Sequence, residues 1–230
     1  MSAGPPESTS SPRSSPVTLP RRIVLTGFMG AGKSTVGRIL ASRLRWPFLD
    51  IDSLITAEHG RTVAQIFADH GEDHFRRLEA EAIARILDPL QQDPPHAYEQ
   101  AVVALGGGAI ETDAVRELLF SQPSSVPATV TIFLSAPLPE LLARCHVGSG
   151  EAGSTGAEPG EETPVRPLLT AAEPPEDRLA RRLPHYRRAH LTVDTAGISA
   201  VQVVDRILAW LSSTWAPARP STPAAGPPSD

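Results

Sequence analysis

The chain has 230 residues, a formal charge of −5 and 40% hydrophobic residues, which is enough for one large domain, or one domain with tails, that buries a core of its own. The acidic balance argues against a nucleic-acid partner, because binding to a phosphate backbone calls for a basic footprint. The single cysteine, Cys145, excludes an intrachain disulfide and fits a reducing, cytoplasmic setting.

No apolar stretch resembles a signal peptide or is long enough to span a bilayer, so no membrane partner is expected. Twenty-four prolines are too many for regular structure throughout, and they cluster. Residues 1–20 hold five prolines and six serines, and residues 213–230 hold another five prolines. Neither segment has the apolar surface to offset the entropy of ordering it, so both are expected to be disordered tails around a folded domain at 21–212.

In chain order, Arg22 to Thr26 reads as a strand, followed by a helix that buries Val36, Ile39, Leu40 and Leu44. Phe48 to Ile51 reads as a second strand. Thr62 and Gln65 have the spacing of a capping box, opening a helix that Gly71 can end. Phe75, Leu78, Ala82 and Ile86 form the buried stripe of the next helix. Ala101 to Leu105 is the third strand, Thr129 to Leu134 the fourth and Leu191 to Asp194 the fifth. Ser199 and Gln202 form a second capping box, ahead of a helix buried through Val204, Ile207, Leu208 and Leu211. The alternation predicts an α/β fold, with a parallel sheet covered on both faces and ligands at the carboxyl ends of the strands. The stretch from Val147 to Pro164 has no periodicity and reads as a long insertion, within a lid spanning about 146–173.

Gly27-Phe28-Met29-Gly30-Ala31-Gly32-Lys33-Ser34 lies between the first strand and the first helix and matches G-x-x-x-x-G-K-[ST]. The glycines let successive N–H groups converge on phosphate oxygens, and the helix adds its positive end. Lys33 reaches the outer phosphates and the Ser34 hydroxyl a magnesium ion. This loop predicts nucleotide binding and leaves the phosphate acceptor open among water, a protein, a nucleotide and a small alcohol.

Four further features bear on the acceptor. Asp50 and Asp52 close the second strand one residue apart, so strand alternation is expected to aim both toward the metal and acceptor. Arg76 and Glu79, three apart on a helix, can form an acid-oriented guanidinium suited to a carboxylate. Gly106-Gly107-Gly108 ends the third strand and implies close approach of backbone and ligand, or a strained turn. Arg166-Pro167-Leu168-Leu169 follows the insertion, and Arg178, Arg181, Arg182, Arg187 and Arg188 come after it, with Pro184 expected to stop or kink their helix.

The order of these motifs resembles the shikimate kinase family over nearly all of the folded part: GFMGAGKSTVGR (27–38), FLDID (48–52), GEDHFRRLE (71–79), GGG (106–108), RPLL (166–169) and RRLPHYRRA (181–189). The resemblance implies a nucleoside-monophosphate-kinase-like fold, a three-layer doubly wound sheet of five parallel strands with a mobile lid. It implies ATP and Mg²⁺ as ligands and phosphorylation of the 3-hydroxyl of shikimate, a step towards chorismate and the aromatic amino acids, on a monomer.

Carried over by motif, Gly30, Ala31, Gly32, Lys33, Ser34 and Thr35 hold the nucleotide phosphates, with Ser34 on the metal and Asp50 behind a water. Asp52 binds the 3-hydroxyl and accepts its proton. Arg76, Gly106, Gly107, Gly108 and Arg182 bind shikimate, Glu79 orients the arginines, and Phe67 and Phe75 wall the ring. Arg166 reaches the ATP phosphates, and Arg144 lies against the adenine. Another small-molecule kinase of the same fold, such as a gluconate or adenylate kinase, and a non-catalytic nucleotide-responsive module are the competing readings.

Overall fold

The computed structural model describes residues 20–88, 99–120, 129–147 and 173–215. Its five strands are β1 (Arg22–Thr26), β2 (Phe48–Asp50), β3 (Ala101–Ala104), β4 (Thr129–Ser135) and β5 (Leu191–Asp194), joined in the order β2-β3-β1-β4-β5. Every pairing is parallel. The three central strands β1, β3 and β4 are buried almost throughout, as expected for a sheet covered on both faces. Edge strand β5 instead alternates between exposed and buried positions.

The helices among the described residues are α1 (Lys33–Leu44), α2 (Ile51–His59), α3 (Val63–His70), α4 (Glu72–Leu87), α5 (Asp113–Phe120), α6 (Leu138–Val147), α7 (Pro175–Tyr186) and α8 (Ala200–Trp215). A 3-10 turn at Ala109–Glu111 follows the triple glycine. The crossover through α1 runs from β1 outward to β2, whereas those through α4 and α5 run back toward β3 and β4. Right-handed crossovers therefore put α1 on one face and α4 with α5 on the other. Helix α8 packs on α1, while α2, α3 and α5 pack on α4.

The core follows the stripes read from the sequence. Val36, Leu40, Phe75, Ala82, Ile86, Val204, Ile207 and Leu211 are buried, while Ile39, Leu44, Leu78 and Leu208 pack partly buried at its margin. Both capping boxes form: Thr62 N–H donates to Gln65 Oε1 at 2.8 Å and Gln65 N–H to Thr62 Oγ1 at 3.2 Å. Ser199 and Gln202 repeat the exchange at 2.9 and 3.3 Å.

Two expectations are corrected. The second strand stops at Asp50 and Ile51 already begins α2, because the Asp50 side chain accepts from Ser53 N–H as the helix N-cap. Asp50 and Asp52 are therefore not strand neighbours on one side of a pleat; one caps a helix and the other lies in its first turn. Pro184 does not stop its helix, since α7 continues through it to Tyr186. It falls within the last turn, where few residues remain to depend on the hydrogen bond it lacks.

The tail at 1–20 lies almost wholly outside the described residues, as do most of the lid at 146–173, including Arg166, and most of the tail at 213–230. Helix α8 runs three residues past the expected boundary, to Trp215. No helix of the described residues is long and apolar enough to cross a membrane.

Removing the Thr62 oxygen leaves an exposed orphan donor, so Thr62→Ala is expected to lower the unfolding free energy by about 1 kcal/mol, read from a urea titration.

Candidate active site

The carboxyl ends of the adjacent strands β1, β3 and β2 carry, respectively, the phosphate-loop motif, the triple glycine and Asp50 with Asp52. In the loop, Gly32 takes a left-handed conformation (φ 85°) as the N-cap of α1, which only glycine adopts without strain. Gly30 is likewise left-handed, and a side chain there would strike the carbonyl of Leu141 on α6. Ala31 is buried in the core and Thr35 is exposed on the first turn of α1. Lys33 Nζ donates to the carbonyls of Gly27 (2.9 Å) and Phe28 (3.1 Å), bridging its own loop. Ser34 Oγ donates to Asp50 Oδ2 at 2.6 Å, which brings together the hydroxyl and the carboxylate expected at a metal.

The second half of the site is a cluster of charged side chains crowded against the glycines. Glu79 is completely buried; its Oε2 accepts from Arg76 Nη1 at 2.7 Å, and its Oε1 has no hydrogen-bond partner. Arg76 is held on its other side by the exposed Glu72, at 2.8 Å. A Cβ on Gly106 would overlap Glu79 Oε1 and come within 2.9 Å of Asp52 Oδ1, and one on Gly108 would overlap the Arg76 guanidinium. Gly107 differs, since its added Cβ would meet only ordinary contacts, among them Arg182 Nη1 at 3.8 Å. None of these three glycines has positive φ. Side-chain room, rather than a strained turn, accounts for Gly106 and Gly108.

Arg182 on α7 is 1% exposed. Its Nε donates to Glu111 Oε2 at 2.7 Å and its Nη2 forms an ion pair with the same oxygen, also at 2.7 Å, while Nη1, facing Gly107, has no hydrogen-bond partner. One turn further along α7, Tyr186 donates its hydroxyl to the Gly107 carbonyl at 2.5 Å and stacks on Phe133. Phe67 and Phe75 stand with ring centroids 4.9 Å apart, and the Arg76 guanidinium lies 5.6 Å from the Phe75 ring. Arg144 on α6 donates to Thr195 Oγ1 (2.9 Å) and to the Thr195 carbonyl (2.8 Å) and pairs with Glu140, so it is pinned to the β5–α8 connection.

The electrostatics match this burial. Desolvation pushes the Glu79 carboxyl up to about 7 against the pull of Arg76, and the neighbouring Asp52 adds to the rise. Glu111 goes the other way: partial burial raises it, but hydrogen bonds and charge from Arg181 and Arg182 together hold it below the usual carboxylate range. Complete burial likewise pushes the Tyr186 phenol well above its ordinary value, keeping it a donor to Gly107.

Sequence reading passed over Glu111 and Tyr186. Tyr186 stands inside the 181–189 motif, where a lone aromatic among arginines was the available signal. Glu111 gave none, because its partner is 71 residues away. The loop, the two aspartates, Arg76, Glu79, the glycines, Phe67, Phe75 and Arg182 share one end of the sheet. Arg166 falls outside the described residues.

A phosphate-binding loop at one end of a parallel sheet, beside a cluster of buried ion pairs, is the arrangement of a P-loop kinase. The family model for shikimate kinase matches residues 29–212. Shikimate kinase of Geobacter metallireducens is 37% identical over 194 residues, covering 83% of this chain and 92% of its own. That of Moorella thermoacetica is 35% identical over 201 residues, covering 85% and 99%. The structure of shikimate kinase from Acinetobacter baumannii in complex with shikimate superposes with a TM-score of 0.67 at 32% identity, covering 85% of this chain and 94% of that one. The chain belongs to the shikimate kinase family, whose members are ATP-dependent kinases.

Two outcomes follow from this geometry. Gly106→Ala, whose Cβ would meet the completely buried Glu79, is expected to destabilise by several times more than Gly107→Ala, on the order of 2–3 kcal/mol against under about 1, read from urea midpoints; Gly108→Ala, which meets only the movable end of Arg76, should fall between them. Because the folded-state pKa of Glu79 lies above its ordinary 4.5, folding takes up a proton between about pH 4.5 and 7. The stability that proton confers is present at low pH and lost as the pH rises through about 7. Wild type should therefore lose more stability than Glu79→Gln between about pH 5 and about pH 8; parallel curves would contradict the assignment.

Proposed function

We propose that this chain transfers the γ-phosphate of ATP to the 3-hydroxyl of shikimate, giving shikimate 3-phosphate and ADP, with the residues gathered at the carboxyl end of the sheet performing the transfer. The observation that carries the substrate reading is the buried guanidinium of Arg182. It presents an unpartnered N–H group toward Gly107, and the next glycine, Gly108, abuts a second guanidinium, Arg76, that is itself held by a buried acid. An orphan buried donor costs about 1–3 kcal/mol, and a ligand carboxylate at this place would satisfy it with a charge-assisted bond.

Each residue then has a task. The backbone from Gly30 to Thr35 cradles the phosphates, and Lys33 exchanges its two carbonyl acceptors for phosphate oxygens. The donor set of Ser34 and Asp50 fits Mg²⁺, because both supply hard oxygens and they lie 2.6 Å apart. Among the described residues no three His, Cys, Asp or Glu side chains gather into a cage, so an ion held by Ser34 and, through water, Asp50 would complete its shell with nucleotide oxygens. When bound, it neutralises charge on the outer phosphates.

Asp52, beside Gly106, takes the proton of the attacking hydroxyl. Arg76 and Arg182 grip the shikimate carboxylate. Glu72, which is exposed, is the partner Arg76 exchanges for substrate, whereas the buried Glu79 stays in place. Gly107 lies beside Arg182 and the loop, and Phe67 and Phe75 wall the ring. Arg166 neutralises the transferring phosphate, and Arg144 lies against the adenine. Phosphoryl transfer through a loose transition state needs positioning and charge neutralisation more than a strong base, which suits a site built of ion pairs.

In an assay of shikimate-dependent ADP release, Lys33→Ala and Arg166→Ala are expected to lower kcat by roughly 100-fold or more. Arg76→Ala and Arg182→Ala should instead act mainly on the KM for shikimate, raising it roughly 10- to 100-fold. Normal shikimate binding by Arg182→Ala in a calorimetric titration would remove that arginine from the clamp.

A further inference from the structure

We propose that Glu111 is the positioning residue of the carboxylate clamp: it occupies the side-on edge of the Arg182 guanidinium and so dedicates Nη1 to the substrate carboxylate. This rests on the shikimate reading above. A guanidinium can grip a carboxylate by its Nε–Nη2 edge or by its Nη1–Nη2 edge. Glu111 Oε2 accepts from Nε and pairs with Nη2, both at 2.7 Å, so the first edge is taken by the protein. Nη1 is left buried and unpartnered, facing Gly107.

The place of Glu111 is itself fixed at several points. Its backbone N–H donates to the Gly108 carbonyl at 2.9 Å, closing the turn that follows the glycines. Arg116 Nη1 donates to the carbonyls of Ile110 (2.9 Å) and Glu111 (2.7 Å). The second carboxylate oxygen accepts from Arg181 Nε at 2.6 Å.

Helix α7 thus meets the glycine turn twice on one face, through Arg182 to Glu111 and, four residues on, through Tyr186 to the Gly107 carbonyl. The substrate-facing nitrogen is registered against the backbone that flanks the substrate. Glu111 also supplies the counter-charge that lets a guanidinium remain buried and ionised before substrate arrives, since an unpaired charge in that position would be strongly disfavoured.

The test compares wild type, Glu111→Ala and Glu111→Gln with two acceptors, shikimate and the analogue whose carboxylate is reduced to a primary alcohol. Glu111→Ala frees the arginine to rotate, so its KM for shikimate should rise about tenfold while the KM for ATP and for the alcohol change by less than about twofold. Glu111→Gln keeps one acceptor oxygen for Arg182 and should raise the shikimate KM only about threefold, again without moving the alcohol. That smaller, carboxylate-selective shift decides the matter even where the alanine variant fails to fold. An unchanged shikimate KM in the folded variants, or equal shifts for acid and alcohol, overturns the role of Glu111 while leaving the substrate reading intact. Failure of wild type to phosphorylate shikimate at all overturns both.

Discussion

Burial of opposite charges beside a backbone that carries no side chains is the constraint on which the rest of this structure depends. Glu79 and Arg182 are almost fully enclosed, and Arg76 and Asp52 are partly so, all converging on three glycines at the end of β3. Charges so placed are tolerable only when each is paired, and pairing demands that the side chains crowd together. That crowding removes the room for a Cβ at Gly106 and Gly108. The glycines, the ion pairs and the helices that deliver them are parts of one solution to a single packing problem.

The fold supplies the elements this solution needs. A parallel sheet puts the ends of β1, β2 and β3 side by side, so the phosphate loop and the aspartates reach the same cleft from separate stretches of chain. Helix α4 carries Arg76 and Glu79 one turn apart, and α7 brings Arg182 back from far along the sequence. The two halves of the site differ in kind. The phosphate-loop half is mostly backbone, whereas the half proposed to hold the acceptor consists of charged side chains. On the proposed reading, discrimination against acceptors that lack a carboxylate belongs to the second half, because a guanidinium clamp left without one would retain unpaired buried groups.

Much of this was legible in the residue order because the signals were local. Short strand-like runs marked all five strands to within a residue or so, and the helix stripes and both capping boxes formed as spaced. The phosphate loop declared itself in eight residues. What escaped reading depended on competition or distance. Phe48 to Ile51 looked like a strand closed by two aspartates, yet an aspartate cap won Ile51 for a helix, and the two carboxylates reach the cleft from a helix terminus rather than a pleat. Pro184 was expected to stop or kink its helix, but α7 runs past it to its natural end two residues on. Glu111 is an ordinary surface acid in the sequence and acquires its meaning only when α7 folds back onto the turn that carries it.

The most direct measurement of the central claim is the rate of ADP formation from ATP by the full chain with shikimate, with gluconate and with no acceptor. The account predicts that shikimate alone raises the rate far above the acceptor-free background and that one phosphorylated shikimate appears for each ADP. Equal rates with and without shikimate, or preference for the acyclic acid, would contradict it.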